Sequence, residues 1–136
     1  MAPVIQRVEP YLKFLMPDVE PILDSELQLC GIRRQGVEEP FEELSIGTRE
    51  QLAIITRLAF ADLLHEQGQP VVLVLDDALV YADDGRFGNM QLILRKAAQR
   101  YQILLLTCRE RDYLTLGAPI FRLADCREVR AAEAVV

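Results

Sequence analysis

Residues 41–51, with the sequence FEELSIGTREQ, open a long helical run that extends from about Thr48 to His65. Ser45 carries a hydroxyl that can cap the helix, and Gly47 lets another molecule approach the backbone. Because the first N–H groups of a helix are free and its dipole is positive there, this end favours an anion, most often phosphate. An ordinary N-cap explains the same residues. The stretch alone therefore leaves a cap and an anion site as open alternatives.

Two apolar runs further along the chain predict buried strands. Residues 71–75 form a continuous β-branched and aliphatic run, and residues 103–106 form a second one. Runs of this kind are typical of parallel strands that are covered on both faces. A helix predicted over residues 87–100 would join them in a right-handed βαβ unit. The expected fold class is α/β, with a mainly parallel sheet flanked by helices.

The remaining segments predict smaller elements around this unit. A helix is expected over residues 4–15, and an antiparallel strand pair over residues 19–24 and 26–33. A short helix near residues 111–116 stops at a glycine, and residues 120–123 resemble a final edge strand. The 136 residues together predict a single domain, residues 1–136, with a small antiparallel part beside the main sheet.

Composition narrows the possible functions. The net charge of −6 argues against a nucleic-acid surface within this chain, because phosphate contact needs clustered Lys and Arg. The three cysteines (Cys30, Cys108 and Cys126) show no metal-site spacing, and their odd number excludes a full disulfide framework. No apolar run reaches the roughly 18 residues of a membrane helix, and no signal peptide is visible. We therefore expect a cytoplasmic protein without membrane contact.

Two adjacent carboxylates, Asp76 and Asp77, follow the first apolar strand. Ligands in open α/β sheets bind beyond the carboxyl ends of strands, where these residues lie. Hydrated Mg²⁺ takes one or two carboxylates and would offset the cost of desolvating them. Solvated loop acids explain the pair equally well. Residues 83–86 (Asp-Asp-Gly-Arg) likewise fit a polar turn into the helix at Phe87.

The ordered set of motifs resembles the head of SMC-like ATPases of DNA repair, of the SbcC and RecN type, and most closely the YhaN-like group. Residues 44–53 are similar to an ABC-type signature, and residues 71–77 to a Walker B strand. Residues 78–86 resemble a D-loop, and residues 103–109 resemble the strand that leads to the switch histidine. The resemblance covers nearly the whole chain. It implies the C-terminal half of a P-loop NTPase head.

The resemblance also implies a role for each motif residue. Asp76 would hold Mg²⁺ through water, and Asp77 would polarise the water that attacks ATP. Asp83 would couple the two active sites of a head dimer. The residues that this likeness assigns to ATP are Ser45, Gly47, Thr48, Arg49 and Asp83. Catalysis of this kind is phosphoryl transfer, which depends mainly on positioning and charge neutralisation.

Three positions depart from the family pattern. Ile46 replaces the common first glycine of the signature, and Asp77 stands where a longer Glu is usual. The switch position has Cys108 or Arg109 instead of histidine, and arginine cannot accept a proton. We therefore expect slow hydrolysis at best, even in a complete head.

The sequence contains no Walker A motif. A P-loop needs G-x-x-x-x-G-K-[ST], whereas Lys13 and Lys96, the only lysines, are followed by Phe and Ala. The chain is therefore interpreted as the C-terminal lobe of a split head, either cut from a longer chain or made as a short gene product. Its expected partners are an N-terminal Walker A lobe and a second head in a homodimer. DNA would be reached only through the full assembly.

Two other functions remain open. A degenerate module that no longer hydrolyses nucleotide would keep the sheet and the dimer face, and the missing histidine favours it. A stand-alone Mg²⁺-dependent phosphatase using Asp76 and Asp77 is less well supported, because no nucleophile-plus-acid pattern accompanies them. For an isolated lobe we expect exposed apolar surface and self-association.

Overall fold

The computed structural model describes residues 2–26 and 28–125. Helices and strands together form an α/β arrangement, in which three successive strands precede a region where helices and strands alternate. The helices and strands in chain order are α1 (Ala2–Leu15), β1 (Val19–Leu23), β2 (Leu29–Arg34), β3 (Val37–Pro40), α2 (Ile46–Glu66), β4 (Val72–Asp76), α3 (Asp84–Ala97) and β5 (Gln102–Leu106). Two 3-10 helices, Phe41–Glu43 and Glu110–Leu116, precede α2 and follow β5.

The antiparallel part is larger than the sequence predicted. β1 pairs with β2 as expected, with Val19 opposite Arg34, and β3 adds a third strand next to β2. β2 and β3 are joined by Gln35 and Gly36, which both have positive φ angles, of 50° and 79°. Positive φ at both central residues defines the tight turn that matches the twist of a hairpin. The turn places β3 antiparallel to β2. The pattern of alternating apolar and polar residues did not indicate this third strand.

The parallel part consists of β4 and β5, in register from Val72 opposite Gln102 to Asp76 opposite Leu106. α3 connects the two strands, so the predicted βαβ unit is present. The expected mainly parallel sheet is not, because the described strands form one sheet of three antiparallel strands and one of two parallel strands.

The final edge strand predicted over residues 120–123 is wrong. The described residues contain no strand there, and Phe121 is 84% exposed. Gly117, with φ of 66°, ends the 3-10 helix Glu110–Leu116. The Arg122 guanidinium pairs with the carboxylate of Glu110 instead of lying on a sheet edge. A strand needs a partner backbone for its N–H and C=O groups, and within the described residues this segment has none.

One hydrophobic core joins α1, α2, α3 and the inner faces of both sheets. α2 lies at its centre, because Leu52, Ile55 and Leu58 at helical spacing are completely buried. The inner face of β4 contributes Leu73 and Leu75 to the same core. The start of α2 and the end of β4 are thus fixed to one packed body.

Within the described residues, no segment covers the outer face of the parallel pair. Val72 and Val74 of β4 are 56% and 49% exposed, and Leu104 and Leu106 of β5 are 43% and 53% exposed. We call these four residues the open sheet face. Within the part of the chain that the structure describes, the prediction that both faces of these strands are buried is therefore wrong. The expected exposed apolar surface is confirmed.

Candidate functional site

The start of α2 is a capped helix end that faces solvent. Ser45 is exposed and has φ and ψ of −58° and 151°, outside the helical region, while Leu44 before it is buried. The Ser45 Oγ accepts a hydrogen bond from the Thr48 N–H at 3.2 Å and lies 2.9 Å from the Thr48 hydroxyl. If Thr48 donates in this second contact, the Ser45 proton is free to bond an incoming anion.

Thr48 itself does not reach the surface. It is only 4% exposed, and its N–H is used by Ser45. Its side chain therefore orients the Ser45 hydroxyl. A direct contact between Thr48 and ATP stays a prediction. Arg49, the next residue, is half-buried in the first turn of the helix.

Gly47 has a different neighbour from the one expected. A Cβ atom at this position would lie 2.6 Å from the main-chain oxygen of Tyr81 and 3.3 Å from its carbonyl carbon. The space that glycine leaves is therefore filled by the protein's own chain on this side, and not by an external molecule. The signature segment and the segment after β4 are in direct contact.

The segment after β4, residues 77–83, is called the acid loop below. Asp76, the last residue of β4, and Asp77, the first residue of the acid loop, are both exposed. Asp77 and Leu79 have positive φ angles, 44° and 68°, which non-glycine residues seldom adopt. Such backbone is strained and persists only where its surroundings hold it.

Three hydrogen bonds from β5 and the residues after it hold the acid loop. The Asp77 N–H donates to the Leu106 carbonyl at 2.8 Å. The Tyr113 hydroxyl donates to the Ala78 carbonyl at 2.6 Å, and the Arg109 guanidinium donates to the Val80 carbonyl at 3.4 Å. Motif spacing did not single out Tyr113, and no local sequence signal indicates its contact.

The pKa of Tyr113 is raised above its usual value, mainly by burial. The carboxylates of Glu50, Asp112 and Asp77 raise it further, while Arg109 lowers it. Tyr113 is therefore a neutral hydroxyl near neutral pH, and it can donate its proton to the Ala78 carbonyl.

Asp83 forms the N-cap of α3. Its Oδ1 accepts a hydrogen bond from the Arg86 N–H at 2.9 Å, and its Oδ2 lies 3.4 Å from the Arg86 Nε. The interpretation of residues 83–86 as a polar turn into a helix is confirmed. A role for Asp83 in coupling two active sites stays a prediction.

The predicted switch position lies beside the acid loop. Cys108 and Arg109 are both exposed, and the Arg109 Nη1 lies 3.8 Å from the Asp112 carboxylate. Its contacts with Asp112 and Val80 direct this guanidinium toward its own chain. Cys126, the third cysteine, lies outside the described residues.

Asp76 and Asp77 (the acid pair) suit a cation that keeps most of its water ligands better than a cation that the protein coordinates completely. Among the described residues, Asp76 and Asp77 form no ion pair. Within the same residues, no group of three or more His, Cys, Asp or Glu side chains could hold a metal ion alone. Mg²⁺ keeps several waters and needs only one or two carboxylates plus phosphate oxygens. These two exposed carboxylates supply that number.

A second polar cluster lies at the far end of α2, around Asp62. Tyr11 and Tyr101 donate hydrogen bonds to its carboxylate, and Arg100 pairs with it at 2.6 Å. Burial raises the pKa of Tyr101 to about 12, with Asp62 adding to the shift. The pKa of Tyr11 is raised for the same two reasons. This cluster ties α1 and the segment after α3 to α2, away from the signature residues.

Comparison with solved structures identifies the fold. The chain is similar to the SMC head domain from Thermotoga maritima, with a TM-score of 0.60 and 19% identity over 83% of this chain and 40% of the other. It is equally similar to a second solved chain, from "Structural biochemistry of ATP-driven dimerization and DNA stimulated activation of SMC ATPases", with a TM-score of 0.60 and 15% identity. That match covers 79% of this chain and 68% of the other. The chain thus has the fold of part of an SMC head, as its motifs predicted.

Comparison with curated sequences gives relatives without an assigned function. Uncharacterized proteins of Mycobacterium bovis and of Mycobacterium tuberculosis are 32% identical over 117 residues, or 80% of this chain. The chain spans about an eighth of the length of these relatives, 13%. No family model matches the chain. In the part that the structure describes, no helix has the length and apolar character needed to cross a membrane.

Proposed function

We propose that this chain, which has an SMC head fold, is the C-terminal lobe of an ATPase head and works in ATP-dependent head dimerisation. The lobe would complete an ATP site only together with a Walker A lobe. The proposed assembly belongs to the SMC-like proteins of DNA repair in the cytoplasm, with DNA contacted by the full assembly.

One observation carries this proposal: the open sheet face ends at Asp76. Side chains of a strand alternate between its two faces, so Asp76 lies on the same face as Val72 and Val74. On the neighbouring strand, Leu106 is paired with Asp76. A lobe that covers this apolar face would bring its own residues beside the acid pair. A P-loop on that lobe would then place ATP phosphates next to Asp76.

Each site residue has a distinct task in this proposal. Asp76 would hold Mg²⁺ through water, and the ion would neutralise phosphate charge. Asp77 would orient and polarise the attacking water. Ser45, with its hydroxyl aligned by Thr48, would donate to the γ-phosphate of ATP on the opposite head. Gly47 and Arg49 belong to the same contact surface, and Asp83 lies at the end of the acid loop beside it.

Phosphate release by a complete head tests the proposal. The chain is combined with a Walker A lobe, and release is measured with Ser45→Arg and Asp77→Asn as matched variants. Turnover in the parent that both variants abolish supports the proposal, because one variant blocks the opposite site and the other removes the carboxylate that would polarise the attacking water. Turnover that survives both changes contradicts the proposed roles.

A non-hydrolysing dimerisation module is the second candidate, and the contacts of Arg109 favour it. Its guanidinium donates to the Val80 carbonyl and faces Asp112, so contacts within its own chain already engage it. In that case ATP would still promote dimerisation of the complete head, without phosphate release. Sedimentation of the complete head with and without ATP, combined with phosphate release from the same sample, separates the two functions, because only the second predicts ATP-promoted dimerisation without release.

A further inference from the structure

The acid loop stores backbone strain on both sides of one residue. Asp77 and Leu79 have φ angles of 44° and 68°, and Ala78 lies between them. Neither flanking residue has the freedom of glycine, so each conformation must be held by its neighbours. Leu79, which is 2% exposed, is held by the core, whereas Asp77 is exposed.

Tyr113 is placed to hold the middle of this segment. Its hydroxyl donates to the Ala78 carbonyl at 2.6 Å, across 35 residues of sequence. Its ring packs edge-on against Phe87 of α3, with 5.4 Å between ring centroids and an interplanar angle of 64°. The packing against Phe87 therefore fixes the Tyr113 ring, and the fixed ring directs its hydroxyl to the acid loop.

We propose that Tyr113 is a positioning residue for Asp77. Its hydrogen bond to the Ala78 carbonyl fixes the peptide between Ala78 and Leu79. Together with the Asp77 N–H bond to Leu106, this restrains the backbone on both sides of the Asp77–Ala78 peptide and so sets the direction in which the Asp77 carboxylate leaves the end of β4. The consequence for catalysis rests on the proposed ATPase function. The consequence for the conformation of the acid loop does not.

Amide hydrogen exchange of this chain tests the conformational part. Tyr113→Phe keeps the ring against Phe87 and removes only the hydroxyl. The Asp77 N–H, bonded to Leu106 at 2.8 Å, is the reporter. We expect its exchange to become about tenfold faster, which corresponds to the loss of one hydrogen bond of ordinary net strength.

Tyr101→Phe is the matched control. It removes the same group from a tyrosine whose hydroxyl donates to Asp62 at 3.1 Å, at the other end of α2. A general loss of stability would accelerate Asp77 exchange in both variants, whereas a local effect would do so only for Tyr113→Phe. Unchanged exchange in Tyr113→Phe, or an equal increase in both variants, overturns the inference.

Steady-state kinetics of the complete head test the catalytic part. For Tyr113→Phe we expect kcat to fall about tenfold with KM for ATP unchanged, since the variant misaligns the water-polarising group without touching the nucleotide. Tyr101→Phe should retain both constants. An unchanged kcat for Tyr113→Phe in an active head overturns the positioning role. A parent head that never hydrolyses ATP contradicts the proposed function, and the exchange measurement still decides the conformational part.

Discussion

The α-carbon of Gly47 lies against the main-chain carbonyl of Tyr81, so the signature segment and the acid loop touch within one chain. A Cβ at Gly47 would be 2.6 Å from the Tyr81 oxygen, well inside any permitted contact. Because the contact is made by backbone, it does not depend on the identity of the Tyr81 side chain. A movement of the acid loop must therefore change the packing at the start of α2.

Gly47→Ala should push the acid loop away from α2. We expect the free energy of unfolding to fall by about 1–3 kcal/mol, the usual cost of forcing an extra methyl group into a packed site. Urea unfolding followed by circular dichroism measures it. In a complete head, the same variant should reduce phosphate release, because the loop carrying Asp77 is displaced.

Gly88→Ala is the control for this prediction. Gly88 lies within α3, and a Cβ there would meet nothing within 4 Å. Alanine is a better helix former than glycine by about 0.5–1 kcal/mol, so this variant should stabilise the chain. Two substitutions of the same kind should thus have opposite signs. If Gly47→Ala were as stable as Gly88→Ala, the backbone at Tyr81 would be able to move aside at little cost, and the prediction would be wrong.

Patterns of neighbouring residues predicted the framework of this site. The Ser45 cap, the apolar run of β4 and the acid pair after it are all local features, and each lies where it was expected. Helix periodicity and strand composition act over a few residues, so a sequence reveals them directly. The same holds for Asp83, whose capping role follows from the polar turn before α3.

The contacts that assemble the site could not be predicted in this way. Tyr113 meets Ala78, and Gly47 meets Tyr81, only because the strands and helices pack as they do. The positive φ angles of Asp77 and Leu79 also contradict local preference and exist because tertiary contacts hold them. The open sheet face was misjudged for a related reason. An apolar strand sequence indicates that both faces of the strand favour burial. It does not indicate whether the segment that buries the second face belongs to the same chain.

The open sheet face should drive association of the isolated chain. Val74→Lys places a charge at its centre, beside Leu104 on the paired strand. Burying that ammonium in an apolar contact is unfavourable, so we expect the dissociation constant of self-association to rise at least about tenfold. Sedimentation velocity over a concentration series measures the change.

Val37→Lys is the matched control for association. Val37 is 63% exposed on β3, in the other sheet, and has the same side chain as Val74. It should leave self-association unchanged. Equal effects of the two lysines would mean that association depends on net charge and not on the open sheet face.

The chain without a Walker A lobe should bind ATP only weakly. Ser45 and the acid pair would contact different ATP molecules in the proposed dimer, and neither group encloses a triphosphate alone. We expect a dissociation constant weaker than about 1 mM, which corresponds to less than about 4 kcal/mol of binding free energy. Isothermal titration calorimetry with Mg²⁺ present measures it. Micromolar binding would contradict the split-head interpretation.

Asp62 should contribute more to stability than an exposed acid. Its carboxylate accepts from Tyr11 and Tyr101 and pairs with Arg100, and its side chain is only 14% exposed. Asp62→Asn keeps the shape and removes the charge, and we expect it to lower the free energy of unfolding by about 2 kcal/mol.

Glu38→Gln is the control, because it measures the change in the free energy of unfolding when an exposed ion pair loses its carboxylate. Glu38 pairs with Arg33 at 2.6 Å, but its side chain is 61% exposed. The expected change is below about 0.5 kcal/mol, because water already screens this pair. Urea unfolding of both variants at the same ionic strength compares them. An equal decrease in the free energy of unfolding for both variants would show that the Asp62 cluster stabilises the fold no more than an exposed ion pair does.

Alkaline pH should destabilise the fold through the tyrosines around Asp62. The pKa of Tyr101 rises from 10.0 to about 12 in the folded chain, and that of Tyr11 is also raised. The stabilisation is fully present below the unfolded value of 10.0 and is lost as pH rises through the folded one. Each tyrosine lowers the free energy of unfolding by up to about 1.4 kcal/mol per pH unit in that window. Urea unfolding at stepped pH should therefore show a shallower decline for Tyr101→Phe than for the parent chain, and identical slopes would refute the assignment.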